Sequence, residues 1–143
     1  MIIRAAVPAD APDVAALLAE LGHPIDPAVV PARLAAVRAE GGAAFLAIDD
    51  AAHAVGFFSV AKHAVLHASG PVGLITALVV AERARGLGVG RRMVEAARAW
   101  ARDAGCVRLL VTSAEHRAAA HAFYPACGMA YTGRRFATDI PAG

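Results

Sequence analysis

Lysine is almost absent. Lys62 is the single lysine among 143 residues, so the other thirteen of the 14 basic side chains are arginines. A Walker-type phosphate loop needs a lysine right after its last glycine and is excluded. Cysteine is scarce as well: Cys106 and Cys127 are the only two, and they have no CxxC spacing. A disulfide framework or a cysteine-built zinc site does not fit this usage. No group of His, Cys and carboxylate residues has metal-ligand spacing, so no metal is expected. Charge is thin, at 18% of residues with a net of +2. Arginine suits fork-like phosphate contacts, but its wholesale use is better explained by genome composition. So small a net charge makes no case for nucleic acid. No apolar run reaches the roughly 20 residues of a membrane span. The opening MIIRAAVPAD lacks the basic region and long apolar stretch of a secretory signal. The expectation is a soluble cytoplasmic protein with no membrane partner.

What is present is a small apolar repertoire. Hydrophobic residues make up 58% of the chain, much of it alanine, which points to a helix-rich core of small side chains. The length fits a single domain over 1–143. IIRAAV (2–7) reads as a short strand, and PADAPDVAALLAELG (8–22) as a helix. Asp10 can cap that helix, Pro12 and Asp13 suit its first turn, and Gly22 is a natural stop. Val14, Leu17, Leu18 and Leu21 form its apolar face. A second helix is expected over 27–40, then strands at 43–50 and 54–65 joined as a hairpin. VGLITALVV (72–80) is nearly all apolar, as a strand buried on both faces would be. A long helix over 88–104 has Val89, Met93, Ala97, Trp100 and Ala104 on one side, with Glu95 placed to pair with arginines. A strand (107–113), a helix broken near Pro125 (115–128) and a closing strand (129–140) complete the chain. The order β-α-α-β-β-β-α-β-α-β describes an α/β fold with a mixed sheet. No repeat or domain linker interrupts it.

The stretch RARGLGVGRR (83–92) holds three glycines and four arginines between a strand and a helix. Backbone amides at such a junction, together with the helix dipole, favour a phosphate. Glycine allows the tight turn and lets a ligand approach. A tight turn that binds nothing is the plainer alternative. The dinucleotide fingerprint GxGxxG fails, because Arg91 stands where its third glycine should be.

The pattern that matches is R-x-x-G-x-G, at Arg85, Gly88 and Gly90. With it the chain resembles the GNAT N-acetyltransferase superfamily, small-molecule type, over nearly its whole length. LVVAERARGLGVGRRMVEAARAWARDAGC is similar to that family's strand, pyrophosphate loop and helix, and RAAAHAFYPACGM to its later signature. The resemblance implies a GNAT-like fold with a mostly antiparallel mixed central sheet flanked by helices. It implies acetyl-CoA as cofactor, bound at the break between strands 72–80 and 107–113. The amides of Gly86, Leu87, Gly88, Val89, Gly90 and Arg91 would hold the pyrophosphate beside Arg85. The main chain of Leu78, Val79 and Val80 would pair with the pantetheine arm, and the amide of Val79 or a neighbour would stabilise the oxyanion. Tyr124 would be catalytic, protonating the departing thiolate, since a phenol's pKa lies above a thiol's. A core tyrosine packed by Phe123 is its structural alternative.

One departure from the family stands out. Relatives often carry a Glu near residue 76 that takes the amine proton through water, and this chain has Thr76. His63 and His67 are candidate bases, and a water chain or a neutral incoming amine would serve equally. His116 and His121 lie near Tyr124, where packing is the simpler role. The resemblance implies an enzyme acting on a small-molecule amine by direct attack, and a homodimer is compatible with it. A CoA-binding module without catalysis, or an enzyme with a protein acceptor, remains open at this stage.

Overall fold

The computed structural model describes residues 1–112, 118–133 and 135–142. They fall into two compact units, Met1–Val111 and Thr112–Gly143. The first unit runs β1 (Ile2–Ala5), α1 (Ala11–Leu21), α2 (Val30–Ala39), β2 (Ala43–Ile48), β3 (Ala54–His63), β4 (Val72–Val80), α3 (Val89–Asp103) and β5 (Arg108–Val111). The second carries α4 (Ala118–Ala126).

The strands lie side by side in the order β1-β2-β3-β4-β5. All neighbours are antiparallel except β4 and β5, which run parallel. This is the expected α/β architecture with a mixed, mostly antiparallel sheet. The β2–β3 connection forms because the Asp49 side chain accepts the amides of Ala51 and His53, at 3.0 and 2.8 Å. Successive side chains of a strand face opposite ways, so the adjacent Phe57 and Phe58 serve two cores. Phe57 packs with Val14, Leu17, Val30 and Leu34 of α1 and α2, while Phe58 packs with Val89, Met93 and Ala97 of α3.

The helical spacing in α3 puts Val89, Met93 and Ala97 in the core as expected, with Val94 and Ala101 beside them. Glu95 accepts from Arg98 at 2.8 Å. Gly22 and Gly105 end their helices with φ of 100° and 79°. Trp100 and Ala104 are only half-buried.

Two expectations need correction. Residues 129–133 and 135–140 form no strand, although their alternation suggests one. Alternation is permissive only; a strand exists through a neighbour's hydrogen bonds, and this segment joins no ladder among the described residues. The expected strand end at 113, helix start at 115 and His116 lie outside the described residues.

Asp10 stands at the N-cap position of α1 as expected, but its side chain does not cap that helix. It is buried and makes no capping bond to α1; its carboxylate accepts Arg4 Nη1 and Nη2 at 2.8 and 2.9 Å and the Val7 amide at 2.8 Å. A bidentate guanidinium pair is stronger than a neutral cap bond, which is why the side chain turns back toward β1. The Arg4 hydrogen bonds hold the Asp10 carboxyl below its ordinary value, against the pull of burial and with help from Val7. With a lowered native pKa, the unfolded chain takes up the proton first. The stabilisation is therefore complete above the ordinary carboxylate range and is lost as pH falls through the native value. Asp10→Asn should lower Tm at pH 7 and flatten the fall of Tm below about pH 4. Melting curves across that range check it, and an acid limb unchanged in the variant would assign the effect to other carboxylates.

Candidate active site

The site is built where β4 leaves β5. The two strands pair only from Val72 opposite Arg108 to Ile75 opposite Val111. On the other side, β4 stays paired with β3 as far as Val80 opposite Gly56. Residues 76–80 therefore have no strand on their β5 side among the described residues. A β-bulge sits at the parting point: Ser59 faces Ala77 and Val60 faces Ile75, leaving Thr76 as the extra residue. A bulge bends its strand and shifts the side-chain alternation by one. Ile75, Leu78 and Val80 accordingly all belong to the α3 side, whereas Val79 belongs to the α1–α2 side.

The same alternation sorts the backbone groups. The Ala81 amide donates to the Val55 carbonyl at 2.8 Å, and Val79 lies opposite Phe57 in the same register. Val79 thus directs its N–H and C=O at β3, and Leu78 and Val80 direct theirs at the open edge. The amides that face this edge are those of Leu78 and Val80, not that of Val79. Arg85 Nε reaches the Val80 carbonyl at 3.4 Å.

Beyond Val80 the chain makes a short 3-10 turn at Glu82–Ala84 and then the glycine turn. Gly86 and Gly88 have φ of 80° and 82°, the left-handed region that side chains disfavour. A Cβ at either would meet nothing within 4 Å, so both face open space. The first ladder bond of α3 runs from the Arg92 amide to the Gly88 carbonyl at 3.2 Å. The amides ahead of it stand outside the helix ladder at the positive end of the dipole. Gly90 is helical, so its role is in the helix's first turn and not in a left-handed bend. Arg91 and Leu87 are exposed and Val89 is buried, anchoring the turn to the core.

Three residues that motif matching missed hold this geometry. Gly56 lies so close to α3 that a Cβ would come within 2.7 Å of Met93 Sδ. A glycine inside the strand AVGFFSV was the available signal for such an approach. Glu20 of α1 accepts the Glu82 amide at 2.9 Å, and Ser59 meets Thr76 hydroxyl to hydroxyl at 2.6 Å. Arg83 donates to the Ala54 carbonyl at 3.0 Å. A cleft of about 370 Å³ opens beside the turn, lined by Asp49, Asp50, His53, Arg83 and Arg92 among others. Of its charged groups, Asp49 holds the hairpin, Asp50 the N-terminal amine and Arg83 the Ala54 carbonyl.

Tyr124 lies on α4 in the second unit, half-buried, with its ring edge-on to Phe123 at 5.1 Å. Its carbonyl accepts the Cys127 and Met129 amides as the helix ends. His121 is exposed on the same helix. His63 ends β3 opposite Val72, four residues beyond Ser59 or about 13 Å along the strand. His67 lies in the loop that follows. Neither His63 nor His67 is brought beside Thr76 by the strand pairing.

Residues 15–129 match the model of the acetyltransferase (GNAT) family. The chain belongs to the GNAT family of N-acetyltransferases. It is 38% identical over 135 residues to an aminoglycoside N(6')-acetyltransferase type 1 of Stenotrophomonas maltophilia, covering 92% of this chain and 88% of that protein. A solved structure from Agrobacterium tumefaciens strain C58 superposes with a TM-score of 0.85 at 28% identity, covering 98% of this chain and all of that one, 100%. An aminoglycoside antibiotic 6'-N-acetyltransferase from Acinetobacter haemolyticus shares the fold with a TM-score of 0.82 at 20% identity, with 100% of both chains covered.

In this acetyltransferase the left-handed turn is a conformational requirement in its own right. Gly88→Ala should lower the unfolding free energy by about 1–2 kcal/mol, from backbone strain alone. Urea titration measures it, and an undiminished stability would mean the turn relaxes to another conformation.

Proposed function

We propose that this chain moves the acetyl group of acetyl-CoA onto a primary amine of an aminosugar-type small molecule. The observation that carries the acceptor class is the 38% identity, over 92% of the chain, to a protein named as an aminoglycoside N(6')-acetyltransferase. The cofactor fits the residues present. The open left-handed turn at Gly86 and Gly88 leaves room for a phosphate group, and the edge of β4 past Ile75, with no strand paired to it, offers backbone groups to an extended chain. Acetyl-CoA supplies an acetyl group activated as a thioester.

The protein's own part is to bind, orient and move protons. Amides from Gly86 to Arg91 hold the pyrophosphate, with Arg85 beside them. Leu78 and Val80 pair with the pantetheine arm as an added strand, while Val79 keeps β4 in register on β3. The Leu78 amide holds the carbonyl oxygen on which charge develops. The amine nitrogen gains the acetyl carbon and loses one proton to water. The C–S bond breaks, and Tyr124 donates its phenolic proton to the sulfur and recovers one from solvent. In this reading the whole chain serves as one acetyltransferase domain. It is active in the cytoplasm on a small molecule, without nucleic-acid or membrane partners.

Purified protein with acetyl-CoA and a panel of kanamycin, tobramycin and glucosamine tests the reading through release of free thiol. Thiol release is expected with at least one amine. CoA binding without any turnover would favour a binding module, and turnover on protein lysines alone a macromolecular acceptor.

Two variants refine it. Gly88→Asp places a side chain and a negative charge in the turn and should weaken CoA at least about tenfold by calorimetry. Folded wild-type protein that binds no CoA would sink the cofactor assignment. Tyr124→Phe should lower kcat by roughly ten- to a thousandfold with CoA affinity retained. An unchanged kcat, where chemistry limits the rate, would leave Tyr124 a packing residue.

A further inference from the structure

Ser59 and Thr76 are the only side chains with polar atoms on β4 and on β3 from Ala54 to Ala61. Their side chains meet across the two strands at the bulge, with their hydroxyls 2.6 Å apart. Thr76 is exposed and Ser59 half-buried. Thr76 is also the first residue past the last β4–β5 pair, and about 6.6 Å along the strand from Leu78, whose amide faces the open edge. The nearest ionisable groups on β3 are Lys62 and His63, three and four residues beyond Ser59, and Lys62 is turned to the Ala104 carbonyl at 3.4 Å.

We infer that Thr76 Oγ1 accepts an N–H of the attacking amine, and that Ser59 positions it by accepting a hydrogen bond from the Thr76 hydroxyl. The inference rests on the acetyl-transfer reading above. A hydroxyl carries one proton and two lone pairs. With its O–H donating to Ser59 Oγ, Thr76 presents only lone pairs to the amine. An amine held there by its N–H keeps its own lone pair for the acetyl carbon. A Thr76 hydroxyl donating to the nitrogen would instead occupy that lone pair and block attack. Unlike a carboxylate, this neutral acceptor adds no charge that would hold the amine as ammonium. Ser59 sets the direction of the hydrogen bond, and the bulge puts Thr76 at the point where β4 becomes open.

Thr76→Val keeps the shape and removes the acceptor, Thr76→Ser keeps the hydroxyl, and Ser59→Ala frees the Thr76 proton. With kanamycin and glucosamine as acceptors, Thr76→Val should lower kcat about tenfold or more, the worth of one oriented hydrogen bond, with the KM for acetyl-CoA unchanged. Ser59→Ala should lower it by about threefold or more, and Thr76→Ser should restore most of the rate. Calorimetry supplies a readout apart from turnover. CoA-saturated Thr76→Val should bind both amines several-fold more weakly than wild type, while its own CoA affinity and Tm stay near wild type. If Thr76→Val and Ser59→Ala bind and turn over amines as wild type does, the hydroxyl pair only pins the bulge and the inference is overturned. Equal losses in Thr76→Ser and Thr76→Val overturn it as well, since a lost methyl would then account for the effect. A wild type that binds CoA but acetylates no amine overturns the function reading and this inference together.

Discussion

The close approach of α3 to β3 is the constraint on which the site depends. Met93 is fully buried against Gly56, a distance only a residue without a side chain permits. Val89 and Ala97 extend the same contact along α3. This packing fixes the height of the α3 N-terminus over the sheet, and the glycine turn is simply the chain that joins β4 to that point. The turn's left-handed residues follow from the short span, and its outward amides follow from the helix start. Arg83 and Glu20 fasten the turn from its two sides, to the Ala54 carbonyl and the Glu82 amide.

A second constraint acts on β4. The strand is central at one end and an edge at the other. Exposed edges are usually a liability, because their unpaired groups recruit other strands. Here the edge begins at a bulge, and its outward backbone groups belong to Leu78 and Val80. Such an edge suits a ligand that mimics a strand. The polar groups around it are the Ser59–Thr76 hydroxyl pair, main-chain groups and the Arg85 guanidinium at the Val80 carbonyl.

The sequence by itself determined the elements and their chemistry. Near-period-four spacing located α1 and α3, whose apolar faces are buried against the sheet, and the apolar run VGLITALVV located β4. The glycines of RARGLGVGRR marked the turn because left-handed backbone, as at Gly86 and Gly88, selects glycine. Only tertiary structure decided the rest. Asp10 joins Arg4 instead of capping α1, since an arginine fork outcompetes a cap once folding brings β1 beside it. The 129–140 alternation yields no strand, since a strand is a property of two chains' hydrogen bonds and not of one segment. Which of Leu78, Val79 and Val80 face the open edge depends on register, and the Thr76 bulge shifts side-chain parity by one. The bulge arises from how β3 and β4 meet over two cores, and no local pattern in VGLITALVV records that meeting.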